Sequence, residues 1–116
     1  MARVKSFVVQ WSDIALFDLE ALITHIAESN PQRATEVWQK IQTRIGNLER
    51  FPYRSHLVSE LKALGLEDYR EVVVYSYRTL LRVQGNKVLI LGLFDGHRNL
   101  EDLLVERVIF NPPTDA

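Results

Sequence analysis

Three arginines stand inside a stretch that otherwise reads as apolar sheet. Arg70, Arg78 and Arg82 interrupt residues 69–94, which are rich in β-branched and aromatic types. Such residues fit a pleated, half-buried surface. Side chains alternate between the faces of a strand. Arg78 and Arg82 therefore share a face with Leu80, and Arg70 lies opposite Tyr69, Glu71, Val73 and Tyr75 on its own strand. A guanidinium buried without a partner is costly, so these groups must reach solvent, a carboxylate or an anionic ligand. The charge balance sharpens the point. Residues 69–98 set Arg70, Arg78, Arg82, Lys87 and Arg98 against only Glu71 and Asp95, although the whole chain carries a formal charge of −1. Anion recognition is the chemistry this arrangement suggests, concentrated on the sheet and the loop that follows it.

The elements that hold these groups can be read from spacing. Three antiparallel strands are expected over 69–75, 77–84 and 87–94. Gly85-Asn86 serves as a two-residue hairpin turn, and Ser76-Tyr77-Arg78 forms a weaker break. Upstream, residues 3–10 resemble a strand whose charged start suits an edge position. Ser12 is a good N-cap, with Asp13 in the first turn of a helix running to Ser29. Ala15, Leu19, Leu22, Ile23 and Ile26 make its apolar face, and Asp18, Glu20, Thr24, His25 and Glu28 cover the other side. Asn30-Pro31 ends this helix and opens a second, since proline suits the first helical position. The second stripe is Ala34, Val37, Trp38, Ile41, Ile45 and Leu48, and the opposite face carries Arg33, Glu36, Lys40, Arg44 and Glu49. Pro52 stops it near Arg50. Residues 52–68 read as an irregular connection with one short extended piece over 57–64. A last helix is expected over 100–108 with Leu100, Leu103, Leu104 and Arg107 inward, followed by a frayed tail at 111–116. The order β-α-α-β-β-β-α, with helices segregated from a mostly antiparallel sheet, makes the chain α+β, the N-terminal helical hairpin covering one sheet face.

With 116 residues, 47% apolar and 25% charged, the chain is expected to form one domain spanning 1–116 around a single core. No run approaches the length of a membrane span, and no signal peptide is visible. The absence of cysteine removes disulfide and thiolate chemistry and makes a cytoplasmic location the default. His25, His56 and His97 are separated and have no cysteine beside them, so no metal site is expected and no cofactor is implied. His25 and His56 are read as surface residues.

A set of short motifs, in order along residues 5–107, carries a family resemblance. They are Trp11-Ser12 before an acidic, apolar helix; Asn30-Pro31; Leu48-Glu49-Arg50-Phe51-Pro52; Ser59-Glu60-Leu61; Tyr69-Arg70-Glu71; Tyr77-Arg78; and Asp95-Gly96-His97-Arg98-Asn99-Leu100. Together they resemble the RelE/ParE-type toxins of type II toxin–antitoxin, or plasmid stabilisation, systems. The resemblance implies a compact βααβββα fold, a cognate antitoxin that wraps the toxin, and bacterial cytoplasm. It leaves two activities. RelE-like members cut mRNA on the ribosome. ParE-like members keep the fold, act on DNA gyrase and stall replication.

Under the RelE-like reading the chain would be a ribosome-dependent endoribonuclease. Cleavage by the 2′-hydroxyl needs a base, cations on the phosphate and an acid for the leaving group. The matching positions are Glu60 as base, Arg70 and Arg78 as a bidentate phosphate clamp, and His97 as acid, whose intrinsic pKa lies nearest neutrality. The aromatic that several such nucleases place just after this histidine is replaced by Arg98-Asn99. The chain also lacks the Lys/Arg excess that ribosomal RNA binding calls for. The ParE-like reading needs only a stable scaffold and a protein-binding surface, with Arg82 and Arg98 as binding residues. The near-neutral charge and the Arg98–Leu104 run favour that reading, a gyrase inhibitor neutralised by an antitoxin. A third expectation is an inactive relic that only binds antitoxin. A structural pairing of Glu60 with Arg70 or Arg78 is the competing account of the charged cluster.

Overall fold

The computed structural model describes residues 6–96 and 100–110; residues 3–5 of the expected first strand and the expected tail at 111–116 lie outside the described residues. The first strand, β1, spans Val8–Trp11. Ser12 then caps helix α1 (Asp13–Ser29), its hydroxyl accepting from the Ala15 amide at 3.1 Å. Asn30 serves both neighbours. Its N–H donates to the Ile26 carbonyl at 2.9 Å, closing α1, and its side-chain oxygen accepts from the Arg33 amide at 3.0 Å, opening α2 (Pro31–Gly46). One residue thus ends one helix and caps the next, which makes the turn tight and the helices antiparallel.

The connection that follows departs from the expected extended piece. Two 3-10 turns, Asn47–Glu49 and Pro52–Arg54, precede a two-residue strand β2 (His56–Leu57). A single helical turn, α3 (Ser59–Lys62), comes next. The polar–apolar alternation of Glu60-Leu61-Lys62-Ala63 is too short to separate strand from helix by period alone. Tertiary contact decides it, with Leu61 fully buried.

Strands β3 (Tyr69–Val74), β4 (Tyr77–Gln84) and β5 (Lys87–Asp95) form the antiparallel meander. They stand in a five-stranded sheet of order β1-β5-β4-β3-β2, in which only β1–β5 is parallel. Both hairpin turns carry a positive φ at their first residue alone, Gly85 at 60° and Tyr75 at 54°. That is the pattern of a type II′ turn, for which glycine is the natural choice. The break at Tyr75-Ser76 falls one residue earlier than expected.

The sheet buries both faces. α1 and α2 pack through Ala15, Leu19, Val37, Ile41 and Ile45 onto Val72, Val74, Leu81, Val88, Ile90 and Leu93. The second face is closed by α3 and the last helix, α4 (Glu101–Phe110), whose Leu61, Leu104 and Val108 meet Tyr69, Leu80, Leu89, Leu91 and Phe94. Leu103, expected inward, is 41% exposed, and its place is taken by Val108.

A β-bulge joins the two layers. Leu80 pairs with Gly92 and Leu81 with Ile90, leaving Leu91 extra on β5. One extra residue shifts the alternation. Leu91 and Phe94 therefore both face α4, while Ile90 and Leu93 face the hairpin. The backbone groups released by the bulge are met by charged side chains. The Leu93 amide donates to Asp18 Oδ2 at 3.1 Å, and Arg107 Nη1 donates to the Leu91 carbonyl at 2.9 Å and to Asp18 Oδ2 at 2.7 Å. Asp18 is therefore turned inward, not onto the solvent face the helical period suggested, because an unpaired backbone donor at the bulge needs an acceptor.

Candidate functional site

β4 places Arg78 directly across from Val73 on β3, so the diagonal neighbour on the same face is Glu71, two residues away. Glu71 is 4% exposed. Arg78 Nε and Nη2 donate to its two carboxylate oxygens at 2.5 and 2.8 Å. From α3, Glu60 closes the other side of the guanidinium, accepting from Nη1 at 2.6 Å and Nη2 at 2.7 Å. The Arg78 guanidinium thus meets two carboxylates through paired, charge-assisted bonds. On β2, the exposed imidazole of His56 lies with Nε2 3.3 Å from Glu71 Oε2.

The electrostatic consequence is specific. The Arg78 guanidinium holds the Glu60 carboxyl down at about 2, against desolvation that pushes it up. Glu60 in turn, followed by Glu71, drives the Arg78 pKa still higher. A carboxylate that weakly basic is poorly suited to taking a proton from a hydroxyl. Two carboxylates around one guanidinium leave this cluster with a net negative charge, which repels a phosphate.

Arg70 is elsewhere. Its register partner is Leu81, so it projects from the face opposite Arg78. Its Nη1 donates to the carbonyls of Ser55 (2.5 Å) and Tyr53 (3.3 Å), and the guanidinium lies 5.2 Å from the Tyr53 ring. Arg70 therefore pins the irregular segment before β2. The sheet separates it from Arg78, so the two do not form one clamp. Arg82 lies 5.7 Å from the Tyr69 ring centre, with Asp68 at a loose 3.8 Å. His97 and Arg98 lie outside the described residues.

Sequence reasoning missed Glu71 and His56 as members of this constellation. The signal was present. Once Tyr75-Ser76 is taken as a two-residue turn, the register alone puts Glu71 diagonal to Arg78.

A second surface is apolar. A cleft of about 390 Å³ opens between α1 and α2, lined by Leu16, Leu19, Glu20, Ile23 and Trp38. It shares Leu16, Leu19 and Trp38 with a cleft of about 330 Å³ that reaches Val9 and Trp11 of β1. Leu16, which lines both, is 48% exposed, and β1 is an edge strand. An exposed apolar band of this kind beside an edge strand is the form of a protein-binding groove.

Comparison with known proteins bears on which partner this is. The family model described as the ParE toxin of the type II toxin–antitoxin system parDE matches residues 9–100. The solved structure of a chromosomal ParDE toxin–antitoxin system from P. aeruginosa is similar, with a TM-score of 0.64 at 18% identity over 78% of this chain and 97% of that one. The RelBE2 toxin–antitoxin complex from Mycobacterium tuberculosis is similar with a TM-score of 0.51 at 22% identity, over 78% of this chain and 98% of that one. At these identities the likeness is one of fold. A search of curated proteins returned no match.

Proposed function

Because the chain belongs to the ParE toxin family of type II toxin–antitoxin systems, we propose that it acts as a ParE-like toxin that inhibits DNA gyrase and is held in check by a cognate antitoxin. The observation that carries this reading is the pairing of Glu60, Arg78 and Glu71. It occupies the guanidinium that an RNA-cleaving site would need for the phosphate and leaves Glu60 a poor base. The position of Arg70 on the far face of the sheet supports the same conclusion. A gyrase inhibitor needs no hydrolytic chemistry, only a rigid scaffold and a docking surface.

The antitoxin is proposed to lie in the α1/α2 groove and along the outer edge of β1, where Leu16 and Trp38 offer anchors for an amphipathic helix. Action is placed in the cytoplasm, where gyrase works; among the described residues no helix is long and apolar enough to cross a membrane.

The deciding experiment sets supercoiling by purified gyrase beside primer extension on translated mRNA, each with the purified chain added. Loss of supercoiling with intact transcripts is expected. Cleaved mRNA with normal supercoiling would transfer the chain to the RelE-like nucleases. Growth unaffected by induced expression would make it a relic. His97→Ala should leave toxicity nearly intact if gyrase is the target and abolish it if RNA is cleaved.

A further inference from the structure

The outer edge of β3 is flanked by cations that the activity above does not use. β2 covers only Glu71 and Arg70. The Tyr69 carbonyl accepts from Val58, so Tyr69, Glu71 and Val73 turn their backbone groups outward, and Val73 has no partner on β2. Along this edge α2 presents Arg33, Lys40 and Arg44, seven and four residues apart, which spans ~16 Å of helix. Arg33 and Lys40 sit 4.0 and 5.0 Å from the ring centre of Tyr75. Arg44 lines a cleft of about 390 Å³ with Arg54, Phe51, Ser55, His56 and Val73. Arg54 stacks on Phe51 at 3.9 Å. Glu71 also borders this cleft, but its carboxylate is bonded to Arg78. Glu36 reaches Arg33 at 3.6 Å. Among the described residues Lys40, Arg44 and Arg54 have no carboxylate partner.

We propose that this ridge is a docking surface for the sugar–phosphate backbone of duplex DNA. Three features select that occupant. The cations outnumber their counter-ions, which fits a polyanion. Stacking on Phe51 and Tyr75 holds two guanidiniums in place, and among the described residues that of Arg54 has no carboxylate on its N–H edge. The same stacking covers one face of each ring, which disfavours splayed single-stranded bases and leaves phosphate contact as the main mode. An acidic peptide adding as a strand fits less well. Among the described residues of β3 only Val73 has outward backbone groups without a β2 partner, and the left-handed Tyr75 (φ 54°) turns the chain away from the edge. The choice of DNA over RNA rests on the gyrase reading, since gyrase holds duplex DNA.

The test is fluorescence anisotropy of a labelled duplex of about 20 base pairs titrated with the purified full chain at low and moderate salt. With four phosphates neutralised, the slope of log K against log salt should be about −3.6, an affinity loss of roughly 150-fold between about 50 and 200 mM salt. Arg44 and Arg54 are exposed, so the double variant R44E/R54E should keep its fold, checked by circular dichroism. Its affinity should fall at least ~10-fold and its slope by about 2. Absence of binding at low salt would overturn the proposal, as would a double variant that binds like the wild type. Tighter binding of an RNA duplex, or stronger competition by a polyglutamate peptide than by unlabelled DNA, would also overturn it. Gyrase inhibition measured on the same preparations separates the two claims. Inhibition without DNA binding removes this inference alone. DNA binding without inhibition removes the target assignment and keeps the ridge.

Discussion

Arg78 is the residue on which the charged face depends. Its side chain is 18% exposed and that of Glu71 only 5%. Arg78→Ala would leave a buried carboxylate without its cation, and removing one member of such a pair costs about 3 kcal/mol or more. A marked fall in the thermal midpoint is expected, measured against Glu60→Gln, which should cost far less because Glu60 lies nearer to solvent. Glu60 also imposes a pH dependence. Its folded pKa of about 2 lies below the ordinary 4.5. Its pairing therefore contributes fully above ~pH 5 and is lost as pH falls toward 2. Acid titration of stability should show this loss in the wild type, and Glu60→Gln should flatten it. The candidate arginines were legible in the sequence as residues needing partners. Which partner each one found was not, because a partner is set by strand register and by a helical turn eighteen residues away in the chain.

At the scale of elements, the bulge on β5 decides how the two layers are joined. Asp18 from α1 and Arg107 from α4 meet over the backbone groups it releases. A Cβ at Gly92 would collide with the Arg107 guanidinium and crowd the Phe94 ring. Gly92→Ala should therefore destabilise by about 1–3 kcal/mol, the range for overpacking a filled site, read from denaturant unfolding. Arg107→Ala should loosen α4 before the rest of the molecule. Hydrogen exchange should then rise across Glu101–Phe110 while the amides of α2 stay protected. Helices α1, α2 and α4 were readable in advance from caps and apolar period. The bulge was not, since an unbroken apolar run such as Val88–Phe94 looks the same with or without one extra residue.

For the whole molecule, the distribution of surfaces matters more than any one site. An apolar groove lies across the helical hairpin, a carboxylate-rich pairing closes one face of the sheet, and a basic ridge borders the far edge. Leu16 lines that groove and is 48% exposed, so Leu16→Asp should leave folding intact. Co-expression with the antitoxin should then fail to rescue growth while toxicity persists. Copurification of the variant with the antitoxin in wild-type yield would sink the placement of the antitoxin in that groove.

Caps, hydrophobic period and turn chemistry act over a few residues, so the sequence by itself determined the order of the main elements, the helical hairpin, the three-stranded meander and, through its ordered motifs, the toxin family. Tertiary structure alone decided which carboxylates enclose Arg78, that Arg70 lies on the other face, that Asp18 points inward, and that α3 and α4 close the second layer. These outcomes depend on register and on a single inserted residue, each of which moves a side chain across a sheet without changing the local pattern that a sequence displays.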